Sequence, residues 1–317
     1  MTSSISKTGR TAIGLYLDPF NQGSYMIAYN PKDWFTFIFK LHKSDTVRKL
    51  FPMMVAIGVY SWVIAYIELN HLQLSYRENL KNLTLLHSLL GFVISLLLVF
   101  RTNTAYERWW EGRRLWGNLV NNSRSLAIRL KAVLGDDRSE IAFFSRVIPL
   151  YARVLESHLR SEGLRLSLDE EEHPELRGVE KSGHLPNKVA AMLAGRIYRL
   201  HAEGRFDGHV LQTMSHELQS FTDVCGACER IKNTPIPFSY SLFIKKFIFF
   251  YVMTLPMGFV FSMGYQVVPV VVFIFYVLTS IEVIAEEIED PFGNDGNDLP
   301  LKRISENIGV HVREILS

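Results

Sequence analysis

Long runs without a formal charge divide the chain into apolar segments. Residues 50–67 and 83–100 are uninterrupted runs of eighteen uncharged positions each, and residues 247–281 form a third run of thirty-five. The third run is too long for one crossing of about 20 residues, and Gly264 and Pro269 inside it predict a tight reversal. We therefore predict four transmembrane helices. Their approximate bounds are residues 50–67, 83–100, 241–263 and 267–285.

The second apolar run continues into a polar segment without a proline between them. Its sequence, LLGFVISLLLVFRTNTAYERWWEGRRLWG at residues 89–117, changes from apolar to rich in Arg, Glu and Trp. Eighteen residues at about 1.5 Å each are close to the length needed to cross a hydrocarbon core of about 30 Å. The pattern predicts one long helix that leaves the bilayer and extends into water.

The remainder of the chain shows apolar positions at helical spacing among polar ones. This pattern predicts cytosolic helices within residues 101–235 and 286–317, so that residues 1–317 form a single all-α domain. Basic residues precede the first span, follow the second and, as Lys245 and Lys246, open the third. Because basic residues favour the cytoplasmic side, we predict a multi-pass membrane protein with both termini in the cytoplasm.

Composition agrees with membrane spans attached to a large water-exposed part. Hydrophobic residues make up 48% and charged residues 21% of the 317 positions. The net charge of +2, without a basic stripe away from the membrane edges, argues against a nucleic-acid partner. No motif of a hydrolase, a zinc protease or a phosphate-binding loop is present, and no small-molecule substrate is indicated.

Cys225 and Cys228, in the motif CGAC, have the C-x-x-C spacing of redox motifs. The surrounding sequence FTDVCGACERIK is typical of a helix, whereas a thioredoxin-like motif follows a strand. A zinc site needs four ligands, and no second cysteine pair exists. We interpret the two as ordinary helical thiols and keep a membrane-anchored redox enzyme as the alternative.

The second span carries a polar-to-apolar stripe at every fourth residue. Thr84, Ser88, Phe92, Leu96 and Phe100 share one slowly rotating helix face. Such a face suits a water pathway that ends in an apolar constriction, or else contact with lipid or a neighbouring helix. One such helix in a four-span chain does not enclose a pore, so the pore interpretation requires a ring of subunits.

The loop after the fourth span is acidic and rich in glycine. It offers the hard oxygen ligands that Ca²⁺ prefers, from Glu289, Asp290, Asp295 and Asp298, on a backbone able to turn sharply. The same features describe an ordinary exposed turn, and the spacing is not that of an EF-hand. Calcium binding and a plain turn both stay open.

Three blocks of the chain resemble the bestrophin family of ion channels, in its bacterial branch. They are FRTNTAYERWWEGRRLWG at 100–117, GACERIKNTPIPFSY at 226–240 and AEEIEDPFGNDGNDLP at 285–300. The blocks have the order and approximate separations of that family. The resemblance implies a homopentamer around one axial pore in the lipid bilayer of a bacterial plasma membrane, with four spans per subunit and an α-helical cytosolic body.

The resemblance also implies roles for particular residues. Phe92, Leu96 and Phe100 match an apolar neck that gates the pore, and His209 matches a second, cytosolic constriction, with Phe206 and Val210 as alternatives. Asp295 and Asp298 match the carboxylates of a calcium clasp and Asp290 a backbone carbonyl ligand. Gly296 and Asn297 depart from the acidic pattern of the eukaryotic clasp.

The ion that passes is not fixed by the neck, because its three side chains carry no charge. A histidine at the cytosolic constriction can be partly charged between pH 5 and 8, which favours anions. We therefore expect passive conduction of chloride or other monovalent anions. A cation-permeable channel of the same fold and a scaffold without transport are the alternatives.

Overall fold

The computed structural model describes residues 46–72, 81–160 and 183–317, and every regular element in these ranges is helical. The prediction of an all-α protein is confirmed. The helices are α1 (Thr46–Ile67), α2 (Lys81–Leu134), α3 (Arg138–Arg160), α4 (Leu185–Ala202), α5 (Gly208–Asn233), α6 (Phe238–Met263), α7 (Val267–Glu289) and α8 (Leu301–Leu316). A π-helical turn, Glu68–Leu72, extends α1.

Helix α2 is the predicted long helix. It runs without a break through 54 residues, about 80 Å at 1.5 Å per residue. Its first part packs with α6 and α7, and α1 packs on α7 and α6; we call these four packed segments the apolar half of the subunit. Its second part packs with α3, α5 and α8, which together with α4 form the helical body. The prediction of one long, unbroken helix that joins the apolar run to the polar segment is confirmed.

Three helical stretches are long and apolar enough to cross a membrane, judged by length and composition. They are Thr46–His71, Thr84–Leu134 and Phe238–Glu289. The third, of 52 residues, contains the predicted reversal. Gly264 adopts a positive φ of 57° there, and Lys245 of α6 lies 2.9 Å from Glu286 of α7, so the two helices are antiparallel.

The reversal differs from the prediction in one detail. It consists of a short 3₁₀ turn, Gly264–Gln266, and does not include Pro269. Pro269 lies in the first turn of α7. Its missing N–H costs nothing there, because the first backbone N–H groups of a helix have no intrahelical partner.

The helical body has a core of its own. Trp116 of α2, Phe144 and Tyr151 of α3 and Phe221 of α5 are fully buried within it. The Tyr151 hydroxyl donates a 2.6 Å hydrogen bond to the Phe221 carbonyl oxygen, which satisfies the polar end of a buried ring. The amphipathic patterns of the sequence correspond to α3, α4, α5 and the second half of α2, as predicted.

Candidate pore-lining helix and its junction with the helical body

The stripe predicted on α2 is exposed along its whole length in the subunit. Phe92, Leu96 and Phe100 are 69%, 45% and 56% exposed, and Thr84 and Ser88 above them are exposed as well. Exposing large apolar side chains to water is unfavourable, so this face meets something outside the single chain.

The buried face of α2 lies on the other side of the helix. His87, Ile94 and Leu98 are buried against the rest of the apolar half, and Nε2 of His87 is 3.0 Å from the Thr254 hydroxyl of α6. The predicted stripe is therefore directed away from the helices of its own subunit. This orientation suits either a central pathway or contact with lipid.

A neighbouring stripe on α2 provides a comparison. Leu85, Leu89 and Val93 are also spaced by four and also exposed, but all three are apolar. The predicted stripe begins instead with Thr84 and Ser88, whose hydroxyl groups suit contact with water better than contact with lipid. The change from polar to apolar distinguishes this face from its neighbour.

Arg101 follows the stripe directly and is almost completely buried, with 1% of its surface exposed. Its Nη2 atom lies 2.6 Å from Glu289 Oε2, and its Nε atom lies 3.6 Å from Glu282 Oε2. Both carboxylates belong to α7. A buried arginine costs several kcal/mol of desolvation unless it is paired, so this cluster fixes α2 to the end of α7.

About two turns further along α2, Arg108 binds three backbone carbonyl oxygens. It donates to Ile231 at 2.5 Å, to Thr234 at 2.6 Å and to Glu289 at 3.0 Å. The Glu289 carboxylate in turn accepts a 2.7 Å hydrogen bond from the Ile236 backbone N–H. Two of these carbonyls close the end of α5, where four C=O groups have no intrahelical partner.

We call this set the junction: Arg101, Arg108, Ile231, Thr234, Glu282 and Glu289. Five of its six members lie in the three sequence blocks singled out above, at residues 100–117, 226–240 and 285–300, and Glu282 lies three residues before the third block. The sequence identified the three blocks, but it did not predict which of their residues are in contact. Arg101 carried one usable signal, since it is a charge placed directly at the end of an apolar run.

The acidic loop is closed by its own hydrogen bonds. Asp298 is 3% exposed, and its Oδ2 atom accepts a 2.5 Å hydrogen bond from the Asp295 backbone N–H. A Cβ atom at Gly293 would come within 2.8 Å of that oxygen, so a larger residue there would force the Asp298 carboxylate to shift. Trp109 of α2 donates a 3.0 Å hydrogen bond to the Asn297 carbonyl oxygen, which attaches the loop to the helix.

The three predicted calcium ligands differ in their surroundings. Burial raises the pKa of Asp298 to about 7, against the lowering effect of its backbone hydrogen bond. Its Oδ1 atom is buried without a hydrogen-bond partner and is therefore free to take a ligand. Asp295 is exposed, and the Asp290 side chain accepts a hydrogen bond from the Phe292 N–H at 3.3 Å. The loop thus fits one strong carboxylate ligand at Asp298.

His209 lies in the first turn of α5 and is exposed, whereas Phe206 and Val210 are partly buried against the core of the helical body. Of the three candidates for a cytosolic constriction, His209 has the side chain that is most open to a solvent pathway. The structure of one chain does not bring it near the stripe on α2.

Cys225 and Cys228 are free and buried in α5. Burial, together with the nearby Glu229 carboxylate, raises the pKa of Cys225 to about 12, and burial likewise raises that of Cys228. A redox-active cysteine has a lowered pKa, because the thiolate is the nucleophile. These two thiols pack as small apolar side chains.

The sequence and the fold match known proteins throughout the described parts. Residues 26–314 match the family model of the bacterial/fungal bestrophin protein. The chain is 33% identical over 235 residues to a voltage-dependent anion channel-forming protein of Nostoc, which covers 72% of this chain and 76% of the relative. A relative of the same description from Ralstonia nicotianae is 30% identical over 277 residues, covering 86% of this chain and 89% of the relative.

The fold is similar to that of a bacterial bestrophin homologue from Klebsiella pneumoniae whose crystal structure carries a point mutation. The TM-score is 0.74 at 26% identity, and the match covers 85% of this chain and all of the other. Fold and relatives together define a class of helical membrane channels and exclude the redox-enzyme alternative. The chain belongs to the bacterial/fungal bestrophin family.

Proposed function

We propose that this protein is a passive ion channel that assembles as a homopentamer around one axial pore and conducts chloride or other monovalent anions. Phe92, Leu96 and Phe100 form its apolar neck. The observation that carries the proposal is the exposed stripe on α2, which begins with two polar residues and ends in three large apolar ones. An apolar constriction of this kind controls passage by dewetting.

Four membrane crossings per subunit are supported by contacts at the two ends of the apolar half. Lys49 of α1, Arg101 of α2 and Lys245 of α6 all pair with carboxylates near the end of α7. At the opposite end, the Asn70 amide donates a 3.1 Å hydrogen bond to the Tyr265 hydroxyl. Each helix of the apolar half thus runs from the polar contacts at one end to those at the other.

The level that holds these basic residues is, in our proposal, the cytoplasmic face of the bacterial plasma membrane. The helical body and both termini then lie in the cytoplasm. The N-terminus itself lies outside the described residues, so its placement depends on the direction of α1.

Anion conduction is supported by the names of the relatives, which are anion channel-forming proteins. The exposed position of His209 also supports it, since a histidine in a narrow cytosolic passage can supply positive charge near neutral pH. The neck adds no charge of its own and therefore selects neither sign.

Calcium is a second part of the proposal. Asp298 and Asp295 hold the ion with their carboxylates, and the Asp290 carbonyl completes the set, as the family resemblance implies. The buried Oδ1 of Asp298, which has no partner in the described structure, supports this assignment. When bound, calcium neutralises the acidic loop next to the junction.

The reversal potential of the purified protein in planar bilayers tests the conduction proposal. With a salt gradient across the bilayer, we expect the current to reverse close to the Nernst potential of chloride. Reversal close to the potential of the cation supports the cation-permeable alternative instead. A protein that assembles but passes neither ion supports the scaffold alternative.

A further inference from the structure

We propose that His158, His184 and Glu229 form a binding site for a divalent transition-metal ion such as zinc. The three side chains come from the end of α3, the start of α4 and the last third of α5. Their ligand atoms all lie within 4.8 Å of one another. In residues 46–72, 81–160 and 183–317, this is the group of His, Cys, Asp and Glu side chains that is compact enough to hold a metal.

The geometry is centred on one oxygen atom. Glu229 Oε1 lies 2.6 Å from His158 Nε2 and 2.7 Å from His184 Nε2. The two imidazole rings are tilted by 50° to each other, with their centroids 4.7 Å apart. Three donor atoms therefore converge on a single point between three helices, although the residues are up to 71 positions apart in sequence.

The ligand types favour a particular class of ion. Two imidazole nitrogens and one carboxylate are a set that zinc uses, with water in the fourth position. Nitrogen ligands suit Zn²⁺, Cu²⁺ and Ni²⁺, whereas Ca²⁺ and Mg²⁺ prefer oxygen alone. The site is accordingly distinct in chemistry from the acidic loop.

An ion can reach this site from solvent. The side chains of His158, His184 and Glu229 are 28%, 33% and 27% exposed, so they are neither sealed in the core nor free on the surface. Neighbouring bonds limit their motion: Lys232 donates a 3.2 Å hydrogen bond to the His158 carbonyl oxygen, and Asn187 N–H donates to His184 Nδ1 at 3.2 Å.

Metal binding requires small changes in the site. Donor atoms around a tetrahedral zinc ion with bonds of about 2.0 Å are about 3.3 Å apart, so the side chains move outward by several tenths of an ångström. His184 accepts the Asn187 N–H at Nδ1, so its neutral ring carries the proton on Nε2. A metal on Nε2 moves that proton to Nδ1 and breaks the hydrogen bond with Asn187.

Loss of such an outer hydrogen bond lowers metal affinity about 10–100-fold, so we expect micromolar rather than nanomolar binding. Without metal, the same three residues form a hydrogen-bonded bridge between helices. The bridge itself lowers the pKa of Glu229, because the hydrogen bonds from both histidines outweigh the raising effect of burial. The metal-free bridge and the metal site use the same three side chains, and they are distinguished by their response to added ions.

Zinc titration of the purified full-length protein, stripped of metal by EDTA and dialysed, tests the proposal. We expect one zinc ion per subunit by calorimetry and a Tm raised by about 2 °C or more at saturating zinc. Mg²⁺ at the same concentration leaves the Tm unchanged. The absence of both zinc responses in the wild type overturns the proposal.

Two variants locate the site. Glu229→Gln and His158→Gln remove one ligand each, and we expect either change to abolish the zinc-dependent rise in Tm. His216→Gln removes an exposed histidine from the same helix α5 and is the matched control, which keeps the response. A response that survives Glu229→Gln places the zinc elsewhere and contradicts the proposal.

Cobalt provides a readout that needs no variant. Co²⁺ bound by two imidazoles and a carboxylate in a four-coordinate site gives visible d–d absorption, which stoichiometric zinc displaces. We expect this absorption in the wild-type protein. A spectrum identical to that of hydrated cobalt contradicts the site even if the Glu229 and His158 variants do not fold.

Discussion

The two halves of α2 differ in the surroundings of one apolar face in each, although each half has both buried and exposed apolar residues. Above Arg101, Phe92, Leu96 and Phe100 are exposed, whereas below it Trp116 and Leu119 are fully buried in the helical body. The same helix thus leaves an apolar face open in one half and closes it in the other. A water-soluble body must bury its apolar side chains within the chain, while a membrane segment can leave them to lipid or to other subunits.

The comparison also shows where the two halves are held in register. The junction lies at the level at which α2 changes environment, and it uses charged groups on both sides of that boundary. Apolar packing is non-directional and does not fix such a level by itself. Directional bonds from Arg101 and Arg108 do fix it.

The largest predicted effect comes from breaking the junction. Arg101→Met leaves the buried Glu282 and Glu289 carboxylates without their partner, which costs about 3–5 kcal/mol. We expect a Tm of the purified protein lower by about 6 °C or more, measured by thermal unfolding. Arg114→Met, at an exposed arginine of the same helix, is the control and changes the Tm little.

If the two arginine variants have the same Tm, the junction does not hold the two halves together. A triple variant adds Glu282→Gln and Glu289→Gln to Arg101→Met and removes all three charges. We expect it to recover part of the lost stability, because it no longer buries unpaired carboxylates.

The next effect concerns pH and the acidic loop of the helical body. The pKa of Asp298 is raised from 3.8 to about 7 in the folded protein, so the folded state binds its proton more tightly than the unfolded state. The stability that this proton confers is complete below pH 3.8 and is lost as pH rises towards 7 and beyond. The Asp298→Asn variant does not lose stability in this way, because its amide side chain has no proton to release.

Thermal unfolding at pH 5 and pH 8, with EDTA present, measures the difference. We expect the stability of Asp298→Asn relative to the wild type to improve by up to about 2 kcal/mol between pH 5 and pH 8. Asp223→Asn, at an exposed position on α5, shows no such change. A pH-independent difference for Asp298→Asn contradicts the raised pKa.

The smallest predicted effect concerns the exposed half of α2. Replacing Phe92, Leu96 and Phe100 together by Ala widens the neck and admits water, and we expect chloride flux into liposomes to rise about fivefold, or about 1 kcal/mol in the barrier. The matched control replaces Leu85, Leu89 and Val93, the neighbouring apolar stripe, and leaves flux unchanged. Equal changes in both triple variants contradict the assignment of the neck.

Much of the fold follows from local pattern. Runs of uncharged residues located the apolar helices, periodicity located α3, α4 and α5, and Gly264 marked the reversal, where its positive φ is available at low cost to glycine. The error concerning Pro269 has a local cause: proline suits both a turn and the first turn of a helix. The exposed stripe was also visible, because spacing by four fixes a helix face.

The contacts between residues of the site could be predicted less well from the sequence. The C-x-x-C spacing of CGAC suggested redox chemistry. Only the structure shows that both thiols are buried, and this burial raises their pKa. The clustering of His158, His184 and Glu229 has no sequence signature, because the three positions belong to three helices that meet only after folding. The same holds for Arg108 and the carbonyl oxygens at the end of α5.

By itself, the sequence determined the helical class, the long apolar-to-polar course of α2 and the face on which Phe92, Leu96 and Phe100 lie. These features depend on period and composition, which are properties of neighbouring residues. Only the tertiary structure decided that Arg101 is buried against α7 and that Asp298 has a free, desolvated oxygen. Such properties depend on which distant segments exclude water from a group, and that is set by packing.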